Sequence, residues 1–265
     1  MNSDSNKKIF LKNVMLTFIA FAIYKIMGTF AISHIKNGVV NVFASEVTLL
    51  TCAICLAFAT KKMNVLKLTK KGFGTGLFVG LFMICVDALG VLSWIYQYIK
   101  GAQVVTISSG EIILFIIAMV MVGVAEELMF RGVLLNSCLD LFGENSVSSI
   151  KKAIIISSVI FGVFHVFNVL IGASLSGSIV QAINAIVLGM MLGAVYVRSG
   201  KNIWPCIVIH GFHDFAAFMQ SGMLEGSGIK DVVSGYNVDM IKNIVLLVLL
   251  SLFLMRKKKI SLCVK

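Results

Sequence analysis

Ala125-Glu126-Glu127-Leu128-Met129-Phe130-Arg131-Gly132 places two adjacent carboxylates and an arginine in a run that otherwise reads as a buried apolar helix. A charge in hydrocarbon is costly, so ionisable residues inside a membrane span mark function by default. Two further polar insertions interrupt other apolar runs, one at His165 and one at His210 to Asp214. Glu, His and Asp retained in three separate spans point to proton or water chemistry.

The rest of the chain supports the membrane setting. Of 265 residues, 58% are hydrophobic and only 13% are charged, whereas soluble domains run at about 25% charged. Apolar runs of about 20 residues suffice to cross a bilayer. Eight stand out: residues 13–33, 39–60, 72–94, 111–135, 153–172, 178–197, 203–220 and 238–255. The predicted fold is all-α, a polytopic membrane helical bundle of about eight transmembrane helices. It forms a single membrane domain over 1–265, in which 110–220 carries the polar insertions and 13–94 and 238–255 are accessory spans.

Charge placement orients the bundle. The net charge of +11 would suit a nucleic-acid binder in a soluble protein. Here the basic residues gather in short flanks, as the positive-inside rule describes. Lys7, Lys8 and Lys12, then Lys61, Lys62, Lys67, Lys70 and Lys71, fall on one side of the eight-span arrangement. Lys151, Lys152, Arg198, Lys201, Arg256, Lys257, Lys258, Lys259 and Lys265 fall on that side too. Both termini are therefore expected in the cytosol of a multi-pass cell-membrane protein, with membrane lipid as a partner and no nucleic acid. The N-terminal run is taken as a retained first span rather than a cleaved signal, because no small-residue cleavage site is obvious. Cys52 and Cys55 form a CxxC without a second pair, and the six cysteines read as small hydrophobes in helices. Gly72, Gly76 and Gly80, and Gly189 with Gly193, repeat at the spacing that lets helices approach closely.

Glu127 and Arg131 are four apart and share a helix face, so they can pair. Glu126 is turned about 100° from Glu127 and is free to face something else. His210 and Asp214 also lie at i,i+4, with His213 close to the same face. At a rise of about 1.5 Å per residue, Glu126, His165 and His210 fall roughly 13, 18 and 10 Å from the basic side, so they can meet in one cavity there. Lys25 and Glu46 have similar depths in adjacent spans and are expected to form a structural ion pair. Asp87 has no evident partner.

Glu126-Glu127-xxx-Arg131, Phe161-xxx-His165 and His210-xxx-Asp214, in that order, resemble the three motifs of the CAAX protease and bacteriocin-processing (CPBP, Abi) family of intramembrane proteases. The resemblance covers about residues 110–220. It implies an intramembrane endopeptidase that cleaves a membrane-associated peptide or protein, in peptide maturation or bacteriocin self-immunity. It implies that Glu126 and His165 bind and activate water, and that Glu127 with Arg131 holds helix geometry and charge balance. His210 and Asp214 would stabilise the oxyanion or orient the water. An ionised Asp214 cannot donate to an oxyanion, so it is either protonated or orients His210. The metal requirement stays open between no tightly bound metal and one zinc ion; Glu and two His could ligate zinc with an open position, yet no HExxH occurs. Two other classes use the same residue types: a proton-coupled transporter, and a non-catalytic immunity or scaffold protein.

Overall fold

Local chemistry at the chain reversals sets where each helix begins. Asn37 accepts a hydrogen bond from Val40 N–H at 3.0 Å and opens α2 (Gly38–Ala59). Ser108 and Glu111 close a reciprocal capping box at the start of α4 (Ser109–Glu127). Ser146 and Ser174 cap α6 (Val147–Val166) and α7 (Leu175–Arg198) by accepting from the amides of Ser149 and Gly177. Each cap satisfies amide donors that a helix start leaves unpaired. Pro205, the only proline, sits in the first turn of α8 (Trp204–Gln220), where its missing N–H costs nothing.

The protein is described by a computed structural model covering residues 3–30, 34–237 and 241–264. All regular structure among these residues is helical. Besides the helices above there are α1 (Ser3–Phe30), α3 (Phe73–Ile99), α5 (Asn136–Phe142), α9 (Ile229–Ser234), α10 (Ile241–Leu254) and α11 (Lys257–Ile260). Among the described residues, six helical stretches are long and apolar enough to cross a membrane. They contain α1, α2, α3, α4 with α5, α6 and α7. The seventh and eighth expected spans are shorter, 17 residues for α8 and 14 for α10. The end of the first expected span, the start of the eighth, and Lys265 lie outside the described residues.

Helices alternate in direction between two ends of the bundle. At one end Lys62 pairs with Asp140 at 3.1 Å and Lys201 with Glu144 at 2.7 Å. Asn202 donates there to the carbonyls of Thr69 and Lys71. Phe10, Cys263 and Val264 pack against one core cluster, so the start of α1 and the segment after α11 share this end. The lysine-rich flanks gather here. At the other end the amide of Thr106 donates to Leu224 O, and Ser174 N–H donates to Ser234 Oγ. All six cysteines are free thiols.

The fourth span departs from its expected end at residue 135. After α4 the helix widens into a π segment, Leu128–Leu135, and then resumes as α5. Such widened turns often occur at functional sites. Asn136 donates to the carbonyls of Arg131 and Gly132, and to the Tyr196 hydroxyl at 2.8 Å. Its amide thus serves carbonyls at the widened turn that need donor partners.

Glycines let α8 approach closely. A Cβ on Gly123 of α4 would fall 2.8 Å from Ile207 O, and one on Gly211 of α8 would fall 2.8 Å from Met119 O. Gly76 and Gly80 of α3 meet Pro205 and Ile209 on another side of α8. The expected close approach at Gly189 and Gly193 is also present, against Ser158 and Ile154 of α6.

Candidate active site

Glu127 is the best-buried member of the polar cluster, with a side-chain exposure of 0%. Its Oε1 lies 2.7 Å from Arg131 Nη1, one helical turn on, as the i,i+4 spacing predicted. The same oxygen lies 2.7 Å from His210 Nδ1. Arg131 Nη2 also donates to Gly189 O at 3.3 Å, and its guanidinium stands 5.1 Å from the centre of the Phe161 ring. One buried ion pair therefore ties α4 and the π segment to α6, α7 and α8.

Glu126 turns the other way. Its side chain keeps 14% exposure and lines a cavity. Its Oε2 lies 3.5 Å from His210 Nε2, and Asp214 Oδ2 lies 3.5 Å from that same nitrogen. His165 enters from α6. Its Nδ1 is 3.0 Å from Phe161 O and donates to it when it carries the ring proton, which leaves Nε2 with a lone pair. The Phe161 ring meets His165 and His210 edge-on, with centroids 4.8 and 5.9 Å away. A single buried aromatic thus supports both imidazoles and the guanidinium.

Glu126, His165, His210 and Asp214 all line one cavity of about 80 Å³, which is room for at least one water molecule. Glu127 and Arg131 lie behind its wall. The structure thus brings together the residues singled out from the sequence, in two layers.

Three expectations need correction. Lys25 and Glu46 do not form an ion pair. Lys25 donates to Asn168 Oδ1, and Asn168 in turn donates to Gln181 Oε1. Similar depth in neighbouring helices did not fix which way the ammonium turned. Asp87 does have a partner: its Oδ1 lies 3.0 Å from His213 Nδ1. Finally, the cavity is not placed towards the lysine-rich end. His165 is the penultimate residue of α6, which starts at Val147 and ends at Val166, so it lies far from the lysine-rich end where that helix begins. Ile229 and Tyr236, from the connection after α8, also line the cavity. It faces the end away from the basic flanks.

The sequence reading missed several lining groups, namely Lys25, Glu46, Asn168, Gln181 and Asn184. Lys25 and Glu46 had a visible signal, being charges inside spans. The three amides had none. Asn184, His213 and Tyr236 also border a second cavity of about 420 Å³, whose wall includes Phe82, Val86 and Leu246. Tyr24, Lys25 and Ile229 border a third of about 450 Å³ at the mouth.

No three His, Cys, Asp or Glu side chains among the described residues are grouped to hold a metal ion. Both faces of His210 are occupied by carboxylates, and His165 has no carboxylate in hydrogen-bond contact. The donor set in this arrangement does not fit a zinc site.

Such a constellation defines a class: a multi-span helical membrane protein with a carboxylate–imidazole cavity closed off by a buried ion pair. Residues 108–216 match the Rce1-like family, described as type II CAAX prenyl endopeptidase. The resemblance to CAAX proteases read from the three motifs is thus shown over this segment, which holds every motif residue. No curated protein matches the chain.

Proposed function

We propose that the protein is an intramembrane endopeptidase that hydrolyses a peptide bond in a membrane-associated peptide or protein. The observation that carries this reading is the convergence of Glu126, His165, His210 and Asp214, from three helices, on one small cavity. The match of residues 108–216 to a protease family supports it.

The geometry supports the following chemistry. A water held by Glu126 and His165 loses a proton to the Glu126 carboxylate as its oxygen attacks the peptide carbonyl carbon. His210, with a proton on each ring nitrogen, donates from Nδ1 to Glu127 and offers Nε2–H to the oxyanion. Fixed donors in a dry site stabilise such charge strongly. Asp214, 3.5 Å from Nε2, orients that ring rather than donating to the oxyanion itself. Protonated Glu126 then gives its proton to the departing amine nitrogen as the C–N bond breaks. Glu127 and Arg131 act as positioning residues.

Placing the lysine-rich end in the cytosol directs the cavity mouth towards the outer leaflet of the cell membrane. A substrate would then enter from the outer side, which suits maturation of an exported peptide or self-immunity against a bacteriocin. Cleavage of a reporter peptide by purified protein tests the reading. Loss of cleavage in Glu126→Ala and in His165→Ala, both still folded, is the expected result. Undiminished turnover in either variant rejects the assignment.

A further inference from the structure

Glu46 sits in the proposed catalytic cavity without a partner of its own. It comes from α2, outside the segment that matches the family. It is 4% exposed and lines the cavity, and its Oε2 has no hydrogen-bond partner. No ion pair involving it occurs among the described residues, since Lys25 turns to Asn168. Glu126, Asp214, Lys25 and His210 share the cavity with it.

The cavity therefore carries three carboxylates, Glu46, Glu126 and Asp214, against two cations, the Lys25 ammonium and the doubly protonated His210 ring, which leaves one negative charge unmatched. Two of those carboxylates face His210. Glu46 faces none of the imidazoles within ion-pair distance. A buried carboxylate without a partner is unfavourable unless it is protonated or something supplies the missing charge. Glu46 lies eight residues from the start of α2 and lines the same cavity as Glu126 and His165.

We propose that Glu46 is a specificity-determining residue: it receives a cationic N–H group of the substrate, either a Lys or Arg side chain near the scissile bond or a free N-terminal ammonium. This rests on the endopeptidase reading for the word substrate; the binding preference itself does not need cleavage.

The test uses the full chain in lipid nanodiscs and three labelled apolar peptides. One is acetylated and neutral, with norleucine at its central position. The second replaces norleucine with Lys. The third is neutral in sequence with a free amine. Binding is measured with Glu126→Gln in all proteins, so that no peptide is turned over. We expect the Lys peptide, the free-amine peptide, or both to bind at least tenfold more tightly than the neutral one. Adding Glu46→Gln should erase that preference and leave neutral-peptide affinity unchanged. Which of the two cationic peptides gains identifies the source of the charge. Equal affinities for all three, or a preference that survives Glu46→Gln, would overturn the proposal. With Glu126 intact, Glu46→Gln should lower kcat/KM on the preferred cationic peptide to the level of the neutral one; an equal loss on all three peptides would place Glu46 in the chemistry instead and also overturn it. A melting temperature lowered by the substitution would reveal a structural partner and count against it as well. Preferential binding without cleavage by the wild-type protein would reject the protease reading alone.

Discussion

His210 Nδ1 lies 2.7 Å from Glu127 Oε1, the oxygen that also receives Arg131. Both contacts are buried, so Glu127 orients an imidazole on α8 while neutralising a guanidinium on its own helix. The two adjacent glutamates thereby divide the work. Glu127 holds the frame, and Glu126 keeps an open face on the cavity.

That division predicts opposite behaviour for two isosteric substitutions. Glu127→Gln leaves Arg131 buried with its charge uncompensated, a situation that typically costs about 3–5 kcal/mol. Thermal unfolding in detergent should show a clearly lowered midpoint. Glu126→Gln should leave the midpoint within a few degrees of wild type. A reversed order would contradict the assigned layers.

Activity should separate along the same line. Glu126→Gln removes the proposed base and is expected to lower turnover by about 10²–10⁴-fold, the usual contribution of such a group. KM should change little. Steady-state cleavage of a reporter peptide gives both constants.

Helix approach is a third target. Ala at Gly211 would place a Cβ 2.8 Å from Met119 O, which is backbone and cannot swing away. Overpacking of this kind costs about 1–3 kcal/mol. It also pushes α8, and His210 with it, away from Glu127. Gly211→Ala should lose both stability and cleavage. Ala at Gly74, where the added carbon meets nothing within 4 Å, should lose neither.

Sidedness can be read by chemical labelling. In a chain whose native cysteines are replaced by Ala, Lys230→Cys should react with a membrane-impermeant thiol reagent added to intact cells. Lys67→Cys should react only after the cells are opened. The opposite pattern would put the cavity mouth in the cytosol.

Metal dependence is the last. Cleavage should persist after prolonged treatment with a strong chelator, because the acidic and imidazole groups are not assembled as ligands. Activity lost to the chelator and restored by zinc would mean that substrate binding rearranges His165 and His210.

The residues of the candidate site stand out in the sequence as polar groups in apolar runs. The Glu127–Arg131 pair was legible too, since i,i+4 spacing determines proximity on a helix. Contacts between helices were not. Whether Lys25 turned to Glu46 or Asn168 depends on rotation about the helix axis, which hydropathy does not encode. The Asp87–His213 pair joins α3 to α8 through glycine-mediated contacts whose register is likewise invisible along the chain. The depth of the cavity differs from the expected one for a plainer reason. The caps extend α6 back to Val147 and the π segment carries its helix on to Phe142, so the helices reach further towards the basic end than their apolar runs do.

The widened turn at Leu128–Leu135 works as a phase shifter. In a uniform α-helix, the azimuth of Glu126 would dictate the azimuth of every later residue at about 100° per step. Here the slack lets the stretch from Asn136 to Phe142 choose its own facing towards α1 and Tyr196 while the glutamates keep theirs. Deleting one residue within this loosened coil would re-couple the two halves, so that either the acid pair or the anchoring amide points astray.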